Sequence, residues 1–230
     1  MTYRLLIGQR SYSSWSLRGW LPFALHDIPV EVEDALIYDP GFIDHVARFG
    51  GNRTVPVART PDGGILSDSL SIGWHLAETF PDRGLLPERG VDRASAQSLI
   101  AEMHSGFSAL RGACPMNLRT AWEGVVPSDD VRKDLDRIDA LWSAALARSG
   151  GPFLFGAPGL TDAFYAPVAI RIAGYGLAMS DVSQTYVRTI LSLPQICEWR
   201  DAGLARDAEI AVYDMGLPRR PFPKPDPDDG

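Results

Sequence analysis

Residues 11–16 read Ser11-Tyr12-Ser13-Ser14-Trp15-Ser16, a run that puts five hydroxyls just ahead of a helical pattern. Hydroxyls at a helix N-terminus lie beside unpaired backbone N–H groups and the positive end of the helix dipole, so they can stabilise an anion. The same residues are the ordinary material of an N-cap, and Ser13 or Ser14 is suited to that task. Val55-Pro56 is a second feature. A proline that opens a strand opposite a helix terminus can be cis, as about 5–6% of X–Pro bonds are, and a cis bond exposes a fixed backbone edge. A third is Asp68-Ser69 at the start of another helix, which can hold a substrate's amino and carboxylate groups or simply cap. A fourth, Phe153-Leu154-Phe155-Gly156 followed by Leu160-Thr161-Asp162-Ala163, reads as structural. There Asp162 reaches back to backbone N–H groups at a helix start.

Other chemistries find no support in the sequence. His26, His45, His75 and His104 share no ligand spacing, and Cys114 and Cys197 form neither a metal motif nor a disulfide framework, so no metal is expected. There is no nucleophile elbow, phosphate-binding loop or Cys-x-x-Cys pair.

The elements that would position these residues follow from periodicity. Tyr3 to Ile7 is apolar on both faces, as a central strand is. Leu17, Trp20/Leu21 and Ala24/Leu25 recur at helical spacing, with Pro22 expected to kink that helix. Val30 to Ile37 reads as a strand, Phe42 to Phe49 as a short helix closed by Gly50-Gly51. Val57-Ala58 and Ile65-Leu66 read as a hairpin around Thr60-Pro61-Asp62-Gly63-Gly64. Asp68 or Ser67 then opens a helix to about Phe80. Beyond residue 90 the pattern is helical only: Arg93 to Leu110, Val131 to Ser149, Thr161 to Ile172 despite Pro167, and two helices between Ser180 and Leu204. The proline-rich residues 216–230 read as an extended or disordered tail.

At 230 residues the chain has room for one large domain or two small ones, on a prior of roughly 100–200 residues each. Its 45% hydrophobic and 22% charged residues fit a globular protein with a packed core. A net charge of −7 argues against a nucleic-acid backbone or an anionic membrane as the main partner. No apolar run is long enough to span a bilayer, and the N-terminus lacks a signal-peptide pattern, so a cytoplasmic location is expected.

Taken in order across roughly residues 3–215, these motifs resemble the soluble glutathione transferases. Ser11 to Arg18 resembles the serine-rich opening of the zeta class and its bacterial relatives, which include maleylacetoacetate isomerases. Thr54-Val55-Pro56 is similar to the family's cis-proline segment, and Asp68-Ser69-Leu70-Ser71-Ile72 to its γ-glutamyl-binding motif. Phe153 to Gly156 with Leu160 to Pro167 resembles the capping signature of its second domain. Residues 102–111 and 115–117 resemble a bacterial branch.

The resemblance implies an α/β thioredoxin-like N-terminal domain (1–82) and an all-α C-terminal domain (90–215). It implies glutathione as co-substrate, a small-molecule electrophile as second substrate, and a homodimer. A hydroxyl of Ser13, or else of Ser11 or Ser14, would stabilise the glutathione thiolate. Thr54, Val55, Pro56, Asp68 and Ser69 would bind glutathione. Tyr12, His104, Phe107, Arg111 and Asn117 would line the second-substrate side, with His104, Phe107 and Arg111 on one helix face. A serine where the zeta motif has cysteine argues against mixed-disulfide chemistry and weakens the isomerase reading. A non-catalytic glutathione-fold binding or assembly module, or a glutathione-dependent peroxidase, are the competing expectations.

Overall fold

The computed structural model describes residues 2–223. Its first part is a four-stranded sheet in the order β2-β1-β3-β4, formed by β1 (Tyr3–Ile7), β2 (Val30–Asp34), β3 (Val57–Arg59) and β4 (Ile65–Ser67). β1 pairs parallel to β2, with Leu5 opposite Val32, and antiparallel to β3, with Leu5 opposite Ala58. β3 and β4 form the expected hairpin, closed by the Thr60 N–H donating to the Gly64 carbonyl at 2.9 Å. The continuous apolar run of β1 reflects burial on both faces. Leu5 and Ile7 join the main core, while Leu6 packs with Val46, Phe49 and Val57 beneath α2 (Phe42–Phe49).

α1 (Ser14–Leu25) and α3 (Ser69–Thr79) cover the other face of the sheet. Pro22 does not end α1, which continues three residues past it. Gly19 is required where α1 crosses the hairpin, because a Cβ there would stand 2.6 Å from Cγ of Pro56.

The second part is built from α4 (Gly90–Ser105), α5 (Ser108–Ala113), α6 (Asp129–Ser149), α7 (Leu160–Tyr175), α8 (Asp181–Ser192) and α9 (Pro194–Arg206). α7 is buried almost throughout and packs on α1, α4 and α8, which joins the two parts into one core. Asp162 sits in that core, 1% exposed. It accepts hydrogen bonds from the Tyr186 hydroxyl (2.8 Å), the Leu154 N–H (3.2 Å) and the Gly159 N–H (3.0 Å). This is the capping role its sequence position suggests, with no side chain at Gly159 to share it.

Three expectations are corrected. The stretch 93–110 is not one helix: Gly106 is extended and Phe107 is left-handed (φ +55), so the chain breaks between α4 and α5. A two-stranded ribbon, β5 (Thr120–Trp122) with β6 (Arg219–Pro221), lies in the region read as purely helical. Strands of three residues are too short to show a period-2 pattern. The segment read as an extended or disordered tail is extended at residues 219–221 but packs: it supplies a paired strand, and Phe222 is buried in the main core. Residues 224–230 of that segment lie outside the described residues.

Candidate active site

The hydroxyl turn is folded by its own backbone. The carbonyl of Gln9 accepts from the N–H groups of Tyr12 (3.2 Å) and Ser13 (2.8 Å), which swings the chain from β1 into α1. Ser13 is the N-cap, and its Oγ accepts from the Ser16 N–H at 3.3 Å. Its hydroxyl also meets the Ser16 hydroxyl at 2.7 Å, and Ser16 Oγ accepts the Gly8 N–H at 2.9 Å. A Cβ on Gly8 would stand 3.2 Å from Cγ2 of Val55. The serine pair is thus tied to the same residue that meets the Val55-Pro56 segment.

The three candidate serines occupy different surroundings. Ser13 and Ser16 form the hydroxyl pair at the helix terminus. Ser11 is fully buried against α9: its N–H donates to Asp207 at 2.6 Å, its carbonyl accepts from Leu118, and a Cβ on Gly203 would come within 2.8 Å of its Oγ. Ser14 faces α7, where its Oγ accepts from Arg171 at 3.4 Å. Burial pushes the Arg171 guanidinium down to about 10.

The Val55-Pro56 peptide is cis. Pro56 is buried under α1, Val55 is half-buried and Thr54 is exposed. The Pro56 carbonyl accepts from the Asp68 N–H at 3.4 Å, so the cis-proline segment and the α3 terminus are directly linked. Asp68 caps α3, accepting the Leu70 N–H at 2.6 Å, and does so at φ +113, a region that favours glycine. Such strain is characteristic of ligand-holding positions. Ser69 is fully buried, and its Oγ has no partner among the described residues.

His104 at the end of α4 approaches this terminus, its Nε2 lying 3.7 Å from the second Asp68 oxygen. Burial lowers the His104 pKa; Asp68 opposes this, while Arg18 and Arg111 act in the same direction as burial. Trp15 is enclosed by three of these groups: the Arg18 guanidinium 3.8 Å from its ring centre, that of Arg111 at 4.9 Å, and the His104 ring at 5.3 Å. Arg18 is 1% exposed, and its Nε and Nη1 are buried without a partner among the described residues. Burial first, then Arg111 and Arg171, bring its pKa down to about 9.

By sequence, Ser16 counts among the hydroxyls of the turn and Trp15 and Arg18 belong to the opening motif, but none of the three has an individual role. Arg18 left a trace, since it lies at helical spacing from Ser14, Leu21 and Leu25, on a face that must be buried.

The second-substrate candidates separate into two groups. His104 and Arg111 flank Trp15, but not as neighbours on one helix, because of the break at Gly106-Phe107. Arg111 bonds back to the carbonyls of His104 (3.2 Å) and Gly106 (3.0 Å). Phe107 turns into the core beside Tyr165. Tyr12 and Asn117 lie elsewhere, at a cavity of about 240 Å³ beneath residues 209–214. There Tyr12 stacks on Tyr213 at 4.4 Å, and Asn117 Oδ1 accepts the N–H groups of Arg119 and Thr120.

The family model for the glutathione S-transferase N-terminal domain matches residues 12–79, and that for the C-terminal domain matches residues 95–203. Among solved structures, the chain is similar to a glutathione transferase homologue from Burkholderia gl BGR1 with bound glutathione. The TM-score is 0.68 at 17% identity, over 89% of this chain and 100% of that one. It is also similar to glutathione transferase Omega 3C from Trametes versicolor (TM-score 0.67, 16% identity, 93% and 92% covered). A glutathione transferase from Methylococcus capsulatus gives a TM-score of 0.65 at 17% identity, over 89% and 100%. Among curated proteins there is no match.

Proposed function

The chain belongs to the glutathione S-transferase family, and from that premise we propose that it binds glutathione as co-substrate and activates it as a thiolate at Ser13. The observation that carries this reading is the Ser13–Ser16 hydroxyl pair at the N-terminus of α1, fastened through Gly8 beside the cis Val55-Pro56 segment. Hydroxyl hydrogens rotate to suit their partners. In the structure the Ser13 hydroxyl donates to Ser16 Oγ, which also accepts from Gly8; on glutathione binding both hydroxyl hydrogens rotate, so that Ser16 donates to Ser13 and the Ser13 hydroxyl donates to sulfur. Ser11 and Ser14 are less suited, because their hydroxyls lie against α9 and Arg171.

The energy required is modest. Lowering a thiol from about 8.5 by about two units takes roughly 2.7 kcal/mol of preferential anion stabilisation. One charge-assisted hydrogen bond contributes about 1.5–3 kcal/mol and a helix terminus about 0.3–1 kcal/mol. In the same reading, the backbone edge at Val55 receives the cysteinyl part, and Asp68 and Ser69 receive the γ-glutamyl end. The electrophile lies on the side of Trp15, His104 and Arg111. Transfer to a small electrophile is the reaction this arrangement supports best. A zeta-type isomerase is the narrower form of the proposal, and Ser13 at the motif's cysteine position speaks against it.

Isothermal titration with glutathione, paired with ultraviolet absorbance of the bound thiolate, tests the reading. Binding accompanied by thiolate formation near neutral pH is expected, and no heat at millimolar glutathione overturns it. A homodimer belongs to the same proposal, which sedimentation as a monomer at micromolar concentration would contradict.

A further inference from the structure

In a chain of net charge −7, cations gather beside the first turn of α1. Arg18 comes from α1, Arg111 from α5 and Arg171 from α7, with His104 at the end of α4. They repel one another: Arg111 and Arg171 both act against the charge of Arg18, and Arg111 against that of Arg171. Asp68 opposes them at Arg18, but its oxygens are directed elsewhere, Oδ1 to the Leu70 N–H and Oδ2 to within 3.7 Å of His104 Nε2.

The three arginines are not equivalent. Arg171 is satisfied, donating to the carbonyls of Cys114 (2.8 Å) and Pro167 (3.0 Å) and to Ser14 Oγ (3.4 Å). Arg18 has ring faces around it instead, Trp15 at 3.8 Å and Phe164 at 5.7 Å, and its Nε and Nη1 meet no acceptor among the described residues. Taking a guanidinium out of water without an acceptor is costly, and aromatic faces offset that only in part. Arg111 engages Nη1 alone, with the carbonyls of His104 and Gly106, and no acceptor among the described residues meets its other N–H groups. Arg111, Trp15 and His104 are half-buried, so the cluster reaches the surface through them. Guanidinium N–H groups left open around one indole match the paired oxygens of a carboxylate, and the indole suits a flat unsaturated body.

We propose that the electrophile this protein conjugates is itself an anion: an unsaturated or aromatic carboxylate, held through its carboxylate by Arg111 with the buried charge of Arg18 behind it, its body against Trp15. The assignment rests on the glutathione reading above and narrows its second substrate. An electrophile is favoured over glutathione as the source of the carboxylate because Asp68 and the buried, unpartnered Ser69 hydroxyl already answer the γ-glutamyl end, whereas Arg111 and His104 belong to the helical part. Trp15 is two residues from Ser13, which sets the body of such a substrate next to the sulfur. With a chloroarene the thiolate forms the C–S bond at the chlorine-bearing carbon. The C–Cl bond then breaks and chloride leaves with its electron pair, the thiol proton having passed to solvent earlier.

The test compares 4-chloro-3,5-dinitrobenzoate with 1-chloro-2,6-dinitrobenzene, which differs only in lacking the carboxylate. The readout is the ratio of their kcat/KM values, in which any damage to thiolate activation cancels. Arg111→Met and Arg18→Met are each expected to lower that ratio by about tenfold or more, as loss of a charge-assisted hydrogen bond implies, through a higher KM for the benzoate. An unchanged ratio in Arg111→Met overturns the proposal. So does an Arg18→Met enzyme that keeps the ratio but binds glutathione about tenfold more weakly, which would give the carboxylate to glutathione. If circular dichroism shows Arg18→Met unfolded, Arg111→Met decides. Calorimetry with 3,5-dinitrobenzoate, which has no leaving group, is run without glutathione and separates the two readings. Equal affinity in wild type and Arg111→Met sinks the anion site alone. Benzoate binding that depends on Arg111 in a protein that forms no thiolate sinks the glutathione reading, and with it the role of the anion as substrate.

Discussion

Ser13→Ala separates the capping and chemical roles of one hydroxyl. In the folded chain that oxygen accepts the Ser16 N–H and meets the Ser16 hydroxyl at 2.7 Å. Losing the cap costs about 1 kcal/mol, or a melting decrease of about 2–4 °C for a protein of this size. The chemical consequence is larger. Removing a hydrogen bond to a thiolate worth about 1.5–3 kcal/mol raises the bound thiol by about 1–2 pKa units. Starting from about 6.5, the thiolate share at neutral pH then falls by about 3- to 25-fold. The rate of conjugation should fall by the same factor at neutral pH and converge with wild type at alkaline pH, where both thiols are ionised. The assay is a pH titration of thiolate absorbance in the glutathione complex. An unchanged midpoint in Ser13→Ala, with glutathione affinity intact, refutes the role of Ser13. Ser16→Ala should give a smaller shift, since it removes the partner that orients Ser13, and Ser11→Ala none.

Asp68→Gly relieves a backbone held at φ +113, worth about 1–3 kcal/mol, and loses a side-chain cap, which glycine replaces at a cost of about a few tenths of a kcal/mol. Its melting temperature should stay near or above that of wild type while glutathione affinity falls, and calorimetry showing unchanged affinity would remove Asp68 from the site. Asp162 gives a pH signature. Burial raises its carboxyl to about 6 from 3.8, despite the donors of Tyr186, Leu154 and Gly159. Between about pH 4 and 6 the folded state keeps a proton that the unfolded state releases, so this group's contribution weakens stability as pH rises, by at most about 3 kcal/mol. Denaturation midpoints of wild type and Asp162→Asn should therefore diverge across that window and run parallel above it. Parallel curves throughout would show that Asp162 does not titrate there.

Much of the first part was legible in the residues alone, for local reasons. The β1 run is apolar on both faces because both are covered, and the Thr60–Gly64 turn and the Ser13 and Asp68 caps are chosen by backbone hydrogen bonding within a few residues. The long helices α6 and α7 follow from apolar spacing over many turns. The β5–β6 ribbon was not legible, since pairing across about a hundred residues leaves no periodic trace in two three-residue strands. Nor was the break at Gly106-Phe107, where a left-handed Phe107 is held by packing beside Tyr165 and not by its own preference.

The site divides in the same way. Its residue types, the serines, the cis-proline segment and the Asp68-Ser69 terminus, are fixed by sequence, because caps and turns are local. What surrounds each serine was decided only by tertiary structure. α9 closes over Ser11, Arg171 takes Ser14, and Gly8 leaves the Ser13–Ser16 pair beside Val55. The enclosure of Trp15 by Arg18, His104 and Arg111 is likewise a product of three separate helices meeting. Long-range packing sets which side of each helix is sealed and which remains open, and chain spacing carries no record of that.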